Sequence, residues 1–348
     1  MLSAFGASVA HNADRVGRGA LCPLRRPAPR SKIRPLRAAV LREHGTTPRV
    51  EEFEDPGQSP GCVEVRVAAA GLHHLDLHKA SGTFYTGPRP LPCVVGSDGV
   101  GRLEDGRRVY FDASVEPYGS MAERTLVPSD ALLELAEGVD DVVAAALGNT
   151  GLGAWLALTW RAQLQRGQTV LVLGATGAAG SVAVQVAKTL GAARVVAADR
   201  AGERLPRLLE RGADAIVEVD TADDLAASFR EATGGEVDVT IDMLWGTPAV
   251  AAMKVAARYA RHVEVGNMAG EEITLPAPLI RSVSLDIRGF SVAHPPMDVK
   301  REAYRRLTEH AANGDIVVDV DRSALDDVEA AWEHQRQAAG GPKMVLVP

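Results

Sequence analysis

Cysteines and aromatic residues are scarce in this 348-residue sequence, which has three cysteines and an aromatic content of 4%. Three cysteines without paired spacing do not build a disulfide framework, which favours a reducing compartment, and we predict the cytoplasm. No apolar run approaches the roughly 20 residues that a membrane-spanning helix requires, so we expect no membrane span. The net charge of −7 argues against general binding to nucleic acid or to a membrane surface.

Acidic residues are almost missing from the first 37 positions, which carry eight basic residues and four prolines against the single acid Asp14. Proline interrupts any long helix there, and no clean apolar segment follows a basic start as in a secretory signal. We therefore predict that residues 1–35 are a basic, disordered extension or reflect an upstream start codon. An organelle transit peptide is the alternative, because such segments are rich in arginine and poor in acids.

The remaining sequence has two regions that differ in composition and in predicted secondary structure. Apolar residues make up 46% of the chain and charged residues 24%, which is ordinary for a globular protein long enough for two domains. Between about residues 36 and 127, short strands alternate with frequent glycine and proline, which is typical of a compact, mainly β domain. From about residue 144, helices and strands alternate, which predicts a parallel sheet covered by helices on both faces. There we predict a helix over 247–260 and strands over 262–265 and 316–320.

The most informative segment is 169–200, where two apolar runs flank a glycine-rich turn and an amphipathic stretch. The turn has the spacing G-x-x-G-x-x-G, and its small residues let backbone N–H groups approach a pyrophosphate at a helix N-terminus. Asp199 ends the second apolar run, where an acid accepts hydrogen bonds from a ribose. We predict a dinucleotide site, with an ordinary βα turn as the alternative. The turn residues predicted to bind the cofactor are Gly174, Thr176, Gly177, Ala178, Ala179 and Gly180.

Seven motifs stand along the chain: AAAGLHHLDLHKASG, LPCVVGSDGVG, YGSMAERTLVP, AAALGNTGLGAWLAL, TVLVLGATGAAG, VDVTIDMLWG and GPKMVLVP. In this order they resemble the medium-chain dehydrogenase/reductase superfamily, and within it the zinc-independent quinone oxidoreductase branch, also called zeta-crystallin-like. The resemblance covers about residues 36–348. It implies an α/β fold with a Rossmann doubly wound parallel sheet over 149–286 and a GroES-like, mainly β catalytic domain over 36–148 and 287–348. It also implies a homodimer.

The resemblance allows a test for a catalytic metal. Zinc-dependent members of the superfamily hold zinc at positions that match His73, Ser97 and Asn149, with Asp98 directly after the serine. Serine and asparagine are poor zinc ligands, and three scattered cysteines cannot form a four-cysteine structural lobe, so we predict no metal. Metal binding stays the alternative for one histidine-rich group, although a loop does not converge all of its side chains. That group is His73, His74, Asp76 and His78.

Without a Lewis acid, the chemistry rests on hydride delivery by a nicotinamide. The resemblance then implies an NAD(P)H-dependent reductase of a small-molecule quinone or α,β-unsaturated carbonyl. Candidate catalytic groups near the nicotinamide are His73, Asn149 and Thr150. Related enoyl reductases carry a tyrosine near Tyr85, which is the candidate proton donor, although Phe84 aligns slightly better. Two alternatives stay open: an enoyl-thioester reductase of fatty-acid or polyketide metabolism, and a non-catalytic, crystallin-like NADPH-binding protein.

The preference between NADH and NADPH rests on opposing charges. Asp199 favours NADH, because a carboxylate pairs with a ribose 2′-hydroxyl and repels a 2′-phosphate. Arg200 and Arg204 favour NADPH, because they lie where relatives of this branch place basic residues for that phosphate. The residues predicted to border the nicotinamide side are Gly266, Asn267 and Ser291.

Overall fold

The computed structural model describes residues 35–84, 87–337 and 340–348. Its strands are β1 (Leu36–Leu41), β2 (Arg49–Phe53), β3 (Cys62–Gly71), β4 (Cys93–Val94), β5 (Gly99–Arg102), β6 (Arg108–Phe111), β7 (Arg124–Pro128), β8 (Leu133–Glu134), β9 (Thr169–Leu173), β10 (Arg194–Asp199), β11 (Ala215–Glu218), β12 (Val237–Asp242), β13 (Ala256–Glu264), β14 (Asp286–Gly289), β15 (Val320–Ala324) and β16 (Lys343–Val347). Its helices are α1 (His74–Ala80), α2 (Asp141–Leu147), α3 (Asn149–Leu156), α4 (Ala178–Thr189), α5 (Arg204–Arg207), α6 (Leu225–Thr233), α7 (Gly246–Met253), α8 (Ala277–Val283), α9 (Met297–Ala312) and α10 (Val328–Gln337).

Two sheets form the β-rich part of the protein. The smaller has the order β2-β1-β4, and the larger has the order β15-β16-β3-β5-β6-β8, with β7 also paired to β3. The central strand β3 follows from its sequence, because Val65 and Val67 are buried while Arg66 between them is exposed. This period of two is that of a strand with one face on a core. At its carboxyl end β3 leads into the loop that carries His73.

The second architectural unit is a six-stranded parallel sheet with the order β11-β10-β9-β12-β13-β14. Neighbouring residues such as Val170 and Leu171 are both fully buried, as expected for strands that helices cover on both faces. The strand order reverses between β9 and β12, and such a reversal leaves a crevice at the carboxyl ends of the strands. The predicted α/β class, with a doubly wound parallel sheet beside a mainly β part, is confirmed.

The predicted helix over 247–260 is wrong in its second half. Helix α7 ends at Met253, and Ala256 already pairs with Val237 as the first residue of β13. The predicted strand over 262–265 is therefore the end of a nine-residue strand. Alanine and methionine favour a helix locally, but pairing with a neighbouring buried strand overrides that weak preference.

The predicted strand over 316–320 lies four residues too early, because the observed strand is β15. In the predicted region the backbone bonds to a side chain instead of a strand: Val317 N donates to Gln185 Oε1 at 2.8 Å, and Gln185 Nε2 donates to Val317 O at 2.8 Å. A buried glutamine on α4 thus satisfies both backbone groups of one residue. Apolar periodicity carries no information about such a partner.

The predicted boundary between the two domains, after residue 286, falls within β14. This strand pairs in parallel with β13 from Asp286 to Gly289, so all of it belongs to the six-stranded sheet. The following helix, α9, packs against α3 and β8. The remaining domain limits stay a prediction.

In the part of the chain that the structure describes, no single helix is long and apolar enough to cross a bilayer. One bent pair passes the same length and composition test when its two helices are combined: Asp141–Leu147 with Asn149–Arg161, at an angle of 49°.

We expect Gly180→Ala to destabilise the protein, because a Cβ atom at this position would overlap Gly174 O and lie 2.7 Å from Ala175 Cα. Neither backbone atom can move without shifting the turn, and overpacking of this kind costs about 1–3 kcal/mol in the free energy of unfolding. Gly153→Ala is the control, since a Cβ at that helical position meets nothing within 4 Å. It should be neutral or stabilise by up to about 1 kcal/mol. Urea unfolding measures both, and equal stability of the two variants would contradict the close packing of α4.

Candidate functional site

The glycine turn lies between β9 and α4 at the carboxyl edge of the parallel sheet. Gly174 has a φ of +77°, a conformation that favours glycine, and a Cβ there would lie 3.1 Å from Met243 Cβ. Gly177 is the N-cap of α4, and its lack of a side chain leaves the helix without a side-chain cap. The first N–H groups of a helix have no intrahelical partner, and the helix dipole favours an anion there. The turn therefore leaves the first N–H groups of α4 available to an anion such as a phosphate.

Asp199 braces this turn from the end of β10. Its Oδ2 accepts hydrogen bonds from Thr176 N at 2.8 Å and Thr176 Oγ1 at 2.7 Å, and its Oδ1 accepts from Arg200 N at 2.8 Å. The side chain is buried. Three donors already occupy this carboxylate, so a ribose hydroxyl would have to displace one of them or share an oxygen.

Two arginines, Arg204 and Arg207, stand beside the turn. Both line a cavity of about 510 Å³ together with Thr176 and Asp199, and a second cavity of about 160 Å³ that extends along α4. Within the described parts of the chain, neither guanidinium makes a hydrogen bond or an ion pair. Unpaired guanidinium groups at the mouth of an anion site favour an additional phosphate. A further cavity of about 1000 Å³ lies at the opposite end of β3 from His73 and is an open surface groove.

The residues predicted on the nicotinamide side follow β13 and β14. Gly266 N donates to Asp242 O at 3.2 Å, which joins the loop after β13 to the end of β12. Asn267 comes next in this loop. Ser291 follows β14, and its Oγ accepts from Ala293 N at 3.4 Å. All three residues thus follow strands that end at the carboxyl edge of the sheet, where the glycine turn also lies.

Asp242 is a buried carboxylate at this edge that the sequence analysis missed. Its Oδ1 accepts from Leu244 N at 2.8 Å and Trp245 N at 2.9 Å, and its Oδ2 contacts His262 Nε2 at 2.7 Å. Asp242 therefore fixes the turn after β12, which packs against Gly174. An acid at the end of the apolar run VDVTID is the pattern from which it could have been found.

Two of the candidate catalytic residues, His73 and Asn149, meet at Asp98, whose side chain is buried. We call His73, Asp98, Tyr110 and Lys343 the Asp98 cluster. Asp98 Oδ1 contacts His73 Nε2 at 2.6 Å, while its Oδ2 accepts from Tyr110 Oη at 3.0 Å and Asn149 N at 2.8 Å. Bare backbone makes room for it, because a Cβ at Gly148 would lie 2.5 Å from Asp98 Oδ2.

Lys343 sets the protonation of His73. Lys343 Nζ donates to His73 Nδ1 at 2.9 Å and also to Leu72 O. An ammonium has no acceptor, so Nδ1 accepts and the ring proton sits on Nε2, from which it is donated to Asp98. Burial lowers the pKa of Lys343 to about 8, against the opposing charges of Asp98 and Asp76. At pH 7 the lysine is therefore still charged.

The charge of Asp98 is stabilised in return. Burial by itself would raise the pKa of Asp98, but the His73 contact and the Lys343 charge outweigh burial, so the pKa lies below its ordinary value. Burial and the nearby Asp98 charge raise the pKa of Tyr110 well above its ordinary value, which keeps its hydroxyl a donor. The cluster is thus a carboxylate–ammonium pair bridged by a neutral imidazole.

The predicted catalytic residues are placed unequally. Asn149 opens α3 through its backbone bond to Asp98, and Thr150 follows it with a largely buried side chain. His73 lies inside the Asp98 cluster with both ring nitrogens occupied. Tyr85 lies outside the described residues, so its role stays a prediction. Lys343 and Tyr110 were missed; the motif GPKMVLVP carries Lys343, and no sequence pattern points to Tyr110.

The positions that match a zinc site do not fit the metal. His73 has no free lone pair, and an ammonium stands 2.9 Å from it. Ser97 Oγ donates to Asp76 Oδ1 at 2.6 Å and accepts from Lys79 Nζ at 2.9 Å. Across residues 35–84, 87–337 and 340–348, no group of three or more His, Cys, Asp or Glu side chains is arranged to hold a metal.

The histidine-rich group has a structural arrangement instead. Asp76 Oδ2 accepts from His73 N at 2.8 Å and so caps the N-terminus of α1. His74 and His78 lie along this same short helix. The carboxylate that would be expected to bind a metal is therefore used to cap a helix.

Comparison with known proteins gives one matching family and several relatives. The family of zinc-binding dehydrogenases matches residues 178–311, a range that excludes every member of the Asp98 cluster. A quinone oxidoreductase-like protein 2 homolog of Nematostella vectensis is 28% identical over 89% of this chain and 88% of its own length. The quinone oxidoreductase-like protein 2 of Bos taurus is 30% identical over 74% of this chain and 75% of its own length. A mycocerosic acid synthase-like polyketide synthase of Mycobacterium tuberculosis is 28% identical over 70% of this chain but only 12% of the synthase.

Solved structures share the fold. A mycobacterial quinone oxidoreductase superposes with a TM-score of 0.82 at 24% identity, over 90% of this chain and 100% of that one. A mycobacterial protein in complex with NADPH superposes with a TM-score of 0.78 at 24% identity over the same shares.

We expect Asp98→Asn to lower the free energy of unfolding by about 3–5 kcal/mol at pH 7, because it leaves the Lys343 charge buried without its partner. The lowered folded-state pKa of Asp98 means that its stabilisation is complete above the unfolded-state pKa and is lost as the pH falls through the folded-state pKa. The difference between the wild type and the variant should thus be present at about pH 5 to 7 and should shrink as the pH falls below about 4. Urea unfolding across this range measures it.

Asp105→Asn is the matched control for that experiment. Asp105 also has a lowered pKa, through its bonds to Arg107, but its carboxylate is exposed to water. This variant should change stability little at any pH. A loss of equal size in the two variants would show that burial of the Asp98 cluster contributes nothing.

Elemental analysis tests the metal prediction. Protein purified without a histidine tag should contain less than about 0.1 zinc per chain, because the side chains of His73, Ser97 and Asp76 already form hydrogen bonds within the protein. His73→Ala should leave that value unchanged. Stoichiometric zinc in the wild type, removed by His73→Ala, would overturn the prediction.

Proposed function

The chain belongs to the medium-chain dehydrogenase/reductase superfamily, in its quinone oxidoreductase branch, and on this premise we propose that it is an NADPH-dependent reductase of quinones or α,β-unsaturated carbonyls. The observation that carries the proposal is the uncapped N-terminus of α4, with two unpaired arginines beside it, at the switch point of a parallel sheet. Substrates of this class accept a hydride at a carbon atom that conjugation with a carbonyl group has made electrophilic.

The residues present fit a nicotinamide dinucleotide. The N–H groups at the start of α4, from Ala178 to Gly180, would hold the pyrophosphate. The loops that carry Asn267 and Ser291 would border the nicotinamide. When bound, the cofactor supplies a hydride. The chain itself would bind and orient the cofactor. In the Asp98 cluster, His73, Tyr110 and Lys343 carry the protons.

The charge arrangement favours NADPH over NADH. The three hydrogen bonds of Asp199 to Thr176 and Arg200 engage the acid that would otherwise select a ribose 2′-hydroxyl. Arg204 and Arg207 stand beside it, and neither guanidinium forms an ion pair within the described part of the chain, although Glu203 and Asp220 line the same cavity. A 2′-phosphate would complete their hydrogen bonding.

The reduced substrate also needs a proton. His73 is poorly suited to donate it, because both of its ring nitrogens are occupied by Lys343 and Asp98. We therefore assign His73 a positioning role in the cleft. Tyr85 stays our candidate proton donor, with Thr150 as a second hydroxyl near the start of α3.

Cytoplasmic location and a homodimer also stay predictions.

A second candidate function is reduction of an enoyl thioester. The likeness to a segment of a polyketide synthase, at 28% identity over 261 residues, favours it. An enoyl thioester is itself an α,β-unsaturated carbonyl, so the same hydride chemistry applies. The two functions differ in the carrier arm that the thioester brings, and carrier arms end in phosphates that require basic residues at the cleft entrance.

We expect the purified protein to oxidise NADPH with 1,4-benzoquinone faster than with crotonyl-CoA, as followed by the absorbance of the reduced nicotinamide. Faster turnover of crotonyl-CoA would favour the enoyl-thioester function. Cofactor binding without turnover of either acceptor would favour a non-catalytic NADPH-binding protein. Absence of binding to both NADPH and NADH would contradict the proposal.

Gly177→Asp tests whether the pyrophosphate of NADPH binds at the start of α4. Aspartate is a favourable N-cap, and Cβ at this position would contact only Gly174 O, at 3.5 Å, so the fold should be retained. Its carboxylate would stand where the pyrophosphate must bind, and we expect NADPH to bind at least about 100-fold more weakly. An unchanged dissociation constant would show that the phosphate binds elsewhere.

A further inference from the structure

A segment of the β-rich part crosses the cofactor site just before β16. Its first described residue, Gly340, lies against the glycine turn: a Cβ there would be 3.8 Å from Gly177 N and 3.8 Å from Thr176 Oγ1. Gly341 and Pro342 then line the cavity of about 160 Å³ beside α4. The chain enters β16 at Lys343, whose Nζ belongs to the Asp98 cluster. The cofactor cavity is therefore bounded by both parts of the protein.

Gly341 touches the guanidinium of Arg204. A Cβ at Gly341 would lie 2.9 Å from Arg204 Cζ and 2.9 Å from Nη2, and closer still to Nη1. All three atoms belong to one planar group, so this plane lies directly against bare backbone. Any side chain at position 341 would displace the guanidinium. The far end of an arginine moves easily, so the displacement would change where the charge stands without disrupting the fold.

Arg204 is held by this contact and not by a charge. Within the described chain it makes neither a hydrogen bond nor an ion pair. Its neighbour Arg211 shows the alternative, because it bonds Asp319 Oδ1 at 2.6 Å and Ser181 Oγ at 3.1 Å. Arg211 is thus a structural residue, while Arg204 keeps all of its donors for something that enters the cavity.

We propose that Gly341 is a specificity-determining position: its bare backbone holds the Arg204 guanidinium beside the glycine turn, where it binds the 2′-phosphate of NADPH. This inference rests on the NADPH preference proposed above and adds the residue that positions its arginine. A mobile arginine loses rotamer freedom when it binds an anion, and a backing surface that restricts it beforehand reduces that loss.

The test compares Gly341→Ala with the wild type by calorimetric binding of two cofactor fragments, 2′,5′-ADP and 5′-AMP. We expect 2′,5′-ADP to bind about tenfold more weakly to the variant, because one charge-assisted contact is displaced, while 5′-AMP binding changes by less than about twofold. The ratio of kcat/KM for NADPH to that for NADH should fall by a similar factor.

Gly314→Ala is the matched control. Both glycines have a φ that side chains rarely adopt, +132° at Gly341 and +80° at Gly314, but a Cβ at Gly314 meets nothing within 4 Å. The control therefore carries the backbone strain without displacing Arg204, and it should bind both fragments as the wild type does. An equal loss for 2′,5′-ADP in the two alanine variants would overturn the proposal.

Arg204→Ala tests whether Gly341 affects binding only through Arg204. The double variant Arg204→Ala/Gly341→Ala should bind 2′,5′-ADP no more weakly than Arg204→Ala alone, because Gly341 acts only through that arginine. Additive losses of binding affinity, or equal losses of affinity for 2′,5′-ADP and 5′-AMP in Gly341→Ala, would each refute the mechanism.

Arg204→Lys is a further test if Gly341→Ala does not fold. Lysine keeps the charge but lacks the plane that rests on Gly341, so discrimination between the fragments should fall; wild-type discrimination would contradict the proposal.

The outcome for the wild type separates this inference from the proposed function. A wild type that binds 2′,5′-ADP and 5′-AMP equally removes the NADPH preference and the role of Gly341 with it. A wild type that discriminates, with a Gly341→Ala variant that discriminates equally well, removes only the role of Gly341.

Discussion

The structure depends on one buried carboxylate. Asp98 accepts hydrogen bonds from the loop after β3, from β6 and from the first residue of α3, and its charge is balanced by Lys343 on β16. Removing a carboxylate from water is costly unless donors and a cation replace the lost hydration. These segments are far apart in sequence, so satisfying one side chain fixes how they meet and where the cleft lies.

The same requirement decides what the cleft can hold. Since Asp98 needs a cation, the chain supplies the ammonium of Lys343, and this ammonium occupies the ring nitrogen of His73 that faces away from Asp98. Positions that match a zinc site thereby become a closed network of donors and acceptors. The chemistry proposed for the protein fits this closure, because the cofactor carries the reducing equivalent and the cluster supplies a fixed arrangement of charge.

Buried carboxylates also hold the backbone at the carboxyl edge of the parallel sheet, beside the glycine turn. Asp199 and Asp242 each bind the backbone of a turn, and so they shape the site through those turns. Acids that stand at the ends of buried strands are used to hold loops, while Arg204 and Arg207 keep their donors. The site proposed for a multiply charged anion would therefore have two arginines beside it whose hydrogen-bond donors are still available.

The sequence by itself determined the parallel sheet, the glycine turn and the family, because these depend on local periodicity and on small residues at fixed spacing. It placed His73, Asp98 and Asn149 together only through the resemblance. Tertiary structure alone decided that Lys343 bridges to His73, that Tyr110 completes the Asp98 cluster and that Gly341 lies under Arg204. It also decided that residues 256–260 form a strand in spite of a helical composition. Each of these depends on contacts between residues that are distant in the chain. The local sequence around a buried charge or an unpaired strand does not identify the partner that satisfies it.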